Sequence, residues 1–143
     1  MKVSSILDGK RAETVKPTAT IKELVEKLAS MKIGALVVSS DGKSIEGIVS
    51  ERDIVQSMPK NIENFQKLHV RDIMTVNVMT CTKDATFAEL MVLMTQKRIR
   101  HVPIVDSNGS LVSIVSIGDV VKNHISEIDE ERTALIDYVK SSG

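Results

Sequence analysis

Hydrophobic positions along the chain follow an order that begins with a short extended stretch at residues 14–16. Apolar residues then recur every three or four positions over residues 21–31, which predicts an amphipathic helix with one buried face. Two short apolar runs at residues 35–38 and 45–49 predict strands, joined by a turn at Asp41-Gly42. A second helix is predicted to begin after Ser50. The pattern predicts one βαββα unit.

The same order returns in the second half of the chain. Shifting the sequence by 66 positions aligns Ile48-Val49-Ser50 with Ile114-Val115-Ser116, and Asp53 with Asp119. Further upstream, residues 3–7 resemble residues 70–74 with a displacement of one residue. A unit of this size buries only a modest core alone, so the two copies are expected to pack together. The duplication predicts an α+β fold of two βαββα repeats with pseudo-two-fold symmetry.

The repeats divide the chain into four parts. The expected boundaries are a first repeat at 1–60, a connector at 61–69, a second repeat at 70–124 and a C-terminal amphipathic helix at 125–143. That helix carries Ile125, Ile128, Leu135 and Val139 at spacings of three and four, with Arg132 on the seam. A tail of this kind more often covers the core of its own domain than it pairs with another chain, so we expect the former.

Two prolines give local expectations. Pro59 is predicted to end the last helix of the first repeat, because proline interrupts helical hydrogen bonding. Pro103 has no N–H to donate and so predicts an edge or interrupted strand. A free strand edge would leave backbone groups for the hydrogen-bonding edge of a base.

Composition narrows the classes of function. Nineteen basic and nineteen acidic residues cancel, which argues against a nucleic-acid-binding protein. No apolar run approaches the 18 or so residues of a membrane span, and no signal-peptide pattern is present, so a cytoplasmic protein without membrane contact is expected. Catalytic motifs and metal-ligand spacings are absent from the sequence, so neither catalytic residues nor a metal site is predicted, and an enzyme is not expected.

A Ser-x-x-Asp sequence follows the last strand of each repeat, at Ser50 to Asp53 and at Ser116 to Asp119. One interpretation is a capping box that stabilises the start of a helix by about 1 kcal/mol. The other is a ligand site: a helix N-terminus attracts anions, and a carboxylate there can accept hydrogen bonds from both hydroxyls of a ribose. The sequence leaves both interpretations open.

Basic residues gather where the second repeat turns from helix to strand, at Arg100 and His101, beside the apolar Val102 and Pro103. Guanidinium groups suit phosphate oxygens, although a solvated surface cluster is the more common explanation for such residues taken alone. The first repeat has only Lys32 at this place, with Arg52 as a possible substitute. We therefore expect two unequal clefts, with Arg100 and His101 serving the cleft of Asp119.

These residues resemble the cystathionine β-synthase (CBS) domain family, in the tandem arrangement called a Bateman module. The resemblance covers essentially the whole chain and depends on three features taken in order. They are Val70-Arg71-Asp72-Ile73-Met74-Thr75, Arg100-His101-Val102-Pro103-Ile104-Val105-Asp106, and the two Ser-x-x-Asp helix starts.

The resemblance implies two clefts that bind adenosine-containing ligands: AMP, ADP, ATP or NAD(H), with S-adenosylmethionine less favoured. It also implies a regulatory role, a homodimer and an unidentified effector protein as partner. A ligand-independent interaction scaffold is the alternative. The family's ligand contacts correspond to Thr14, Ser50, Asp53, Thr80, Arg100, His101, Ser116 and Asp119. Arg52, as a second basic group, and Val102 and Pro103, as the apolar run beside Arg100, complete the predicted ligand-binding residues.

Overall fold

In a computed structural model that describes residues 1–7, 9 and 12–142, the chain forms two three-stranded sheets with helices packed against them. The first repeat contains β1 (Thr14–Val15), α1 (Ile21–Met31), β2 (Ala35–Val38), β3 (Gly47–Ser50) and α2 (Glu51–Asn61). The second repeat begins with a short helix, α3 (Val70–Ile73). That repeat contains β4 (Cys81–Thr82), α4 (Phe87–Lys97), β5 (His101–Val105), β6 (Leu111–Ser116) and α5 (Ile117–Ser142). Two 3-10 turns lie at Val3–Ile6 and Phe65–Lys67.

The two sheets have the same topology. In each, the short first strand pairs in parallel with the middle strand, and the middle strand pairs antiparallel with the third, in the orders β1-β2-β3 and β4-β5-β6. Thr20 and Thr86 cap the equivalent helices α1 and α4, and each threonine hydroxyl accepts a hydrogen bond from a backbone N–H three residues later. The predicted α+β fold of two βαββα repeats is confirmed.

Each repeat completes its core with a segment from the beginning of the other repeat. Val3, at the N-terminus, is fully buried in the core of the second repeat, and its N–H donates to the Ala85 carbonyl (2.8 Å). Val70 is fully buried in the core of the first repeat, and its N–H donates to the Ala19 carbonyl (2.9 Å). Because each small core depends on a segment from outside its own repeat, the two repeats are expected to fold as one cooperative unit.

Both expectations about proline need correction. Pro59 lies inside α2, which continues to Asn61, so it does not end the helix. Pro103 lies on β5, the central strand of its sheet, and not on an edge strand, although the pairing of β5 with β6 is irregular shortly after it, between Ile104 and Val105. β4 pairs only with Ile104 and Val105 of that strand, so Pro103 comes before the stretch in which a second neighbour needs its N–H.

The expected C-terminal helix is continuous with the last helix of the second repeat, as the single helix α5. Its first turns pack against α4 and contribute Val120 to the core. Every residue from 128 to 142 is exposed, so the expectation that this tail covers its own core is wrong. The seam at spacings of three and four exists, but it faces away from both cores.

The turn between β2 and β3 depends on one carboxylate. Asp41 accepts hydrogen bonds from the N–H groups of Ser44 and Lys43 (2.8 Å each) and from the Ser39 hydroxyl (3.0 Å). These bonds, that of the Ser44 N–H most of all, hold the pKa of Asp41 well below its ordinary value of 3.8. The ionised carboxylate therefore stabilises the fold above about pH 4, and this contribution is lost as the pH falls through the lowered pKa.

Asp41→Ala is expected to lower the melting temperature at pH 7, because the turn loses the acceptor for four donors, the Ser44 hydroxyl included. The difference between variant and wild type should shrink as the pH is lowered below about 4, because Asp41 of the unfolded wild-type chain then takes up a proton while the carboxylate in the fold remains ionised. Thermal unfolding followed by circular dichroism over this pH range measures it. An equal difference at pH 7 and pH 3 would contradict the assignment of the charge to the turn.

Candidate functional site

The first Ser-x-x-Asp sequence forms a complete capping box where β3 leads into α2. The N–H and the hydroxyl of Ser50 both donate to Asp53 Oδ2 (2.8 and 3.1 Å), and the Asp53 N–H approaches Ser50 Oγ at 3.3 Å. Both contacts to the carboxylate use the same oxygen, Oδ2. Within the described residues, Asp53 Oδ1 accepts no hydrogen bond, so capping the helix leaves an acceptor available to a ligand.

The second Ser-x-x-Asp sequence repeats this geometry at the start of α5. The N–H and the hydroxyl of Ser116 approach Asp119 Oδ2 at 3.3 and 3.0 Å, and the Asp119 N–H approaches Ser116 Oγ at 3.2 Å. Both motifs are therefore helix caps, and capping alone does not distinguish them. What differs is the surface around each carboxylate.

A cleft of about 310 Å³ lies beside the first motif. One wall is the β3–α2 corner with Ser50, Arg52 and Asp53, and a second wall is residues 75–79 of the segment that leads to β4. The third is the α4–β5 corner of the second repeat, residues 98–101. The cleft is thus built from both repeats and from the chain that joins them.

The residues that line this cleft differ from the expected pairing of Arg100 and His101 with Asp119. Arg100 and His101 lie with Ser50 and Asp53, and not only with the carboxylate of their own repeat. The reason is the pseudo-two-fold packing: the α4–β5 corner comes against its counterpart, so that a Cβ built on Gly34 would lie 3.4 Å from His101 Cε1. Closeness in sequence therefore did not indicate which cleft a residue serves.

The arginines of the cleft give it a strongly basic side. Arg52, Arg98 and Arg100 all line it, and within the described residues none of their guanidinium groups makes a hydrogen bond or salt bridge. Arg98 was not selected from the sequence. It ends α4 in a left-handed conformation, with φ of 54°, which turns the chain sharply between the helix and residue 100. Lys32, the basic residue noted in the first repeat, lies 66 residues earlier and has the same conformation, so the repeat shift was the signal that could have identified Arg98.

His101 is half-buried between the two Ser-x-x-Asp motifs. Burial lowers its pKa below the ordinary 6.5, and the Arg100 charge acts in the same direction, while the carboxylates of Glu51 and Asp119 oppose them. The imidazole is therefore neutral near pH 7. Its position lets it respond to a negative charge placed in the cleft.

The segment at residues 75–79 is fixed to the edge of β3. Thr75 and Ile48 exchange two backbone hydrogen bonds of 2.9 Å, which holds Asn77, Val78 and Met79 against the opening. Gly47 permits this close approach: a Cβ there would lie 2.8 Å from Met74 Sδ and 2.9 Å from the Thr75 carbonyl oxygen. The sequence did not indicate this wall, because its counterpart near residues 8–12 differs in sequence and so the repeat does not point to it.

The other predicted site residues lie elsewhere. Thr14 lies on β1 and lines a separate depression with Lys16 and Asp41. Thr80 is exposed and directly follows Met79 of the cleft wall. Val102 and Pro103 are buried in the sheet, so the structure does not present their side chains to a ligand.

Two βαββα repeats that share a cleft define a class of tandem α+β domain pairs, and sequence comparison identifies the family. The family model described as "CBS domain" matches residues 3–60 and 70–125. The chain belongs to the CBS domain family, in which it forms a tandem pair. Across the described ranges, no helix combines the length and apolar character needed to cross a bilayer.

Solved structures of this family are similar over most of the chain. The CBS-domain protein ATU1752 from Agrobacterium tumefaciens is 39% identical, with a TM-score of 0.79, covering 87% of this chain and 99% of that one. PAE2072 from Pyrobaculum aerophilum, solved with AMP, is 29% identical with a TM-score of 0.71, covering 83% and 89%. The domain pair of MJ0100, solved with 5′-methylthioadenosine and S-adenosylmethionine, is 26% identical with a TM-score of 0.78, covering 89% and 98%.

Curated relatives are longer. The uncharacterized protein MK0525 from Methanopyrus kandleri is 35% identical over 121 residues, which cover 82% of this chain and 62% of the relative. The mitochondrial protein CBSX3 from Arabidopsis thaliana shows the same relation, with 34% identity and 60% of its length covered. The chain thus spans about three fifths of the length of these relatives.

Proposed function

We propose that this chain is a regulatory module that binds an adenosine-containing nucleotide in the cleft of Asp53. One observation carries the proposal: a carboxylate oxygen and three guanidinium groups that have no partner among the described residues line the same opening of about 310 Å³. Binding would be passed on through contacts with a second copy of the chain, in a homodimer, or with an effector protein.

The ribose end of such a ligand fits the start of α2. Asp53 Oδ2 is held by Ser50, which fixes the carboxylate and aims Oδ1 as the remaining acceptor. Sugar hydroxyls donating to an ionised carboxylate form charge-assisted hydrogen bonds, which are stronger than bonds between neutral groups. Apolar side chains at Ile48, Val78 and Met79 line the same cleft and offer surface for the faces of a base.

The phosphate end fits the α4–β5 corner. Guanidinium groups bind phosphate oxygens through paired hydrogen bonds, and Arg52, Arg98 and Arg100 supply three of them. Two carboxylates, those of Glu51 and Asp53, line the same cleft and offset part of this positive charge. The charge balance favours AMP, ADP or ATP over S-adenosylmethionine, whose sulfonium and ammonium groups are cationic.

The size of the cleft favours a mononucleotide. Its volume of about 310 Å³ is at the lower end of the range of roughly 300–1,000 Å³ for small-molecule sites. A dinucleotide such as NAD(H) would have to extend beyond it. The AMP complex of PAE2072 and the methylthioadenosine complex of MJ0100 support an adenosine ligand of this size for the present chain.

Calorimetric titration with AMP, ADP, ATP, NAD⁺, NADH and S-adenosylmethionine tests the proposal. We expect heat with at least one phosphorylated mononucleotide. At 100 times its dissociation constant, that ligand should stabilise the fold by about 2.7 kcal/mol. The absence of both heat and thermal shift with all six ligands would overturn the proposal.

Nucleotide binding is expected to strengthen as the pH falls through the interval between the pKa of His101 in the complex and its lower pKa in the free protein. Burial holds the pKa of free His101 below 6.5, and phosphate oxygens beside the ring would raise that pKa in the complex. Between the two values, binding takes up a proton, so lower pH favours the complex. Titrations of AMP in buffers of different ionisation enthalpy count this proton.

The phosphate itself titrates near pH 6, so the comparison must be with His101→Gln under the same conditions. The variant should take up fewer protons than wild type when AMP binds, and adenosine should show no such difference between them. Equal proton uptake by both proteins would show that His101 does not meet the phosphate.

An interaction scaffold without ligand is the second candidate, because both Ser-x-x-Asp motifs serve as helix caps. It predicts that Asp53→Asn and Asp119→Asn lower stability equally, with or without nucleotide. A nucleotide-binding module predicts equal losses without nucleotide and unequal ones with it. Unfolding curves of both variants, with and without AMP, separate the two functions.

A further inference from the structure

The C-terminal half of α5 carries an apolar seam that nothing in the described chain covers. Ile128 is 49% exposed, Leu135 64% and Val139 60%. Ile125 continues the seam toward the domain, and Arg132 interrupts it at its centre. This surface, the α5 seam, consists of residues 125, 128, 132, 135 and 139.

The seam has the spacing of a coiled coil. Its members alternate steps of three and four, which keeps them on one side of a helix that is supercoiled around another helix. Ile136 and Tyr138, also exposed, flank it. An unsupported helical extension of this length is only marginally stable in water, so the helix is expected to have a partner along its seam.

We propose that the α5 seam pairs antiparallel with the α5 seam of a second copy of this chain. A parallel pair would place Arg132 directly against the partner's Arg132, two like charges in the core of the interface. An antiparallel pair instead places Arg132 opposite the partner's Leu135, so that the guanidinium group can extend past an aliphatic side chain into solvent.

The length of the exposed segment selects one antiparallel register. With Arg132 opposite the partner's Leu135, Ile128 lies opposite the partner's Val139, and residue 125 lies opposite the end of the partner's helix at residue 142. The overlap then spans residues 125–142, about 27 Å at 1.5 Å per residue. Shifting by one heptad toward the domain would bring the partner's end against residue 118, where α5 packs on its own repeat.

Charges beside the seam fit this register. Asp129 and Glu131 flank the seam in its first half, and Ile136 and Tyr138 occupy the corresponding flanks in the second half. In an antiparallel pair, each flank of one helix runs beside the same flank of its partner. Asp129 therefore lies on the flank that meets the partner's Ile136, and Glu131 on the flank that meets the partner's Tyr138. No two like charges therefore face each other along the flanks. The interface is self-complementary, as a two-fold dimer requires.

Sedimentation equilibrium of the full chain tests the pairing without nucleotide. Leu135→Glu is expected to halve the mass of the assembly, whereas Ala134→Glu, its matched control on the outer side of the same turn, should keep the wild-type mass. Arg132→Leu should hold the assembly together at concentrations at least tenfold lower than wild type. A Leu135→Glu assembly with the same mass as wild type, or a wild-type protein that is monomeric throughout, would overturn the proposal.

Oxidative cross-linking tests the direction. The double variant Ile128→Cys with Val139→Cys should form covalent dimers, because the register brings each new cysteine to its counterpart. Ile128→Cys alone should not exceed the wild-type background of Cys81, since the two copies of residue 128 would be about 16 Å apart along the pair. Efficient cross-linking by Ile128→Cys alone would indicate a parallel pair and overturn the antiparallel one. Neither experiment depends on nucleotide, so failure here leaves the proposed function standing.

Discussion

Asp53→Asn is expected to weaken binding of AMP by about 10- to 100-fold. The carboxylate offers an ionised acceptor to the ribose hydroxyls, and an asparagine in its place offers one neutral carbonyl and a competing N–H donor. A hydrogen bond to a charged group contributes about 1.5–3 kcal/mol, and each 1.4 kcal/mol is a factor of ten in affinity. Calorimetric titration of both proteins at one pH and salt concentration gives the ratio.

Asp119→Asn is the matched control for this substitution. Asp119 and Asp53 make equivalent contacts to the preceding serine, so each variant should lose a similar capping contribution, about 1 kcal/mol of folding free energy. Only Asp53 lies in the described cleft. If Asp119→Asn weakened AMP binding as much as Asp53→Asn, the assignment of the ligand to the Asp53 cleft would be wrong.

Gly47→Val is expected to lower the free energy of unfolding by about 1–3 kcal/mol, the usual cost of overpacking a filled site. A Cβ at this position already comes within 2.9 Å of the Thr75 backbone oxygen, and backbone cannot move aside as a flexible side chain can. Relief of the clash must displace residues 75–79, so AMP binding should weaken as well. Urea unfolding and calorimetry measure the two effects.

Gly118→Ala, at the start of α5, is expected to have the opposite effect on the free energy of unfolding. A Cβ at Gly118 would have its nearest neighbour, Ser116 Oγ, at 3.7 Å, an ordinary contact, and alanine favours a helix over glycine by up to about 1 kcal/mol. Gly118→Ala should therefore keep or raise stability. If Gly47→Val left both stability and AMP binding unchanged, the segment at 75–79 could not be a fixed wall of the cleft.

The repeats were predictable from the sequence because their signals are local. Helix caps at Thr20 and Thr86, apolar strands and the Ser-x-x-Asp motifs all depend on residues within a few positions of each other. The predicted order of elements therefore agrees with the structure. The exchange of Val3 and Val70 between the two cores was not predictable, since aligning two segments shows that they are equivalent but not which core each one enters.

The cleft shows the same limit. The sequence identified Asp53 and Arg100 as candidates, but it assigned Arg100 to the cleft of Asp119 because they share a repeat. The pseudo-two-fold packing places it beside Asp53, a consequence of tertiary contact between two corners far apart in the chain. The prediction for the tail of α5 was wrong for a related reason: periodicity shows that a helix has an apolar side, but not which surface that side contacts.

The most direct test of the nucleotide site is a ¹⁵N–¹H NMR titration of the full chain with AMP. The amides of Ser50, Asp53 and residues 77–79, together with those of Arg100 and His101, should shift together and saturate at one dissociation constant. Those of Thr14 on β1 and of Lys16 just after it, which line a different depression, should stay in place. Shifts confined to residues outside the Asp53 cleft, or no shifts at millimolar AMP, would contradict the account.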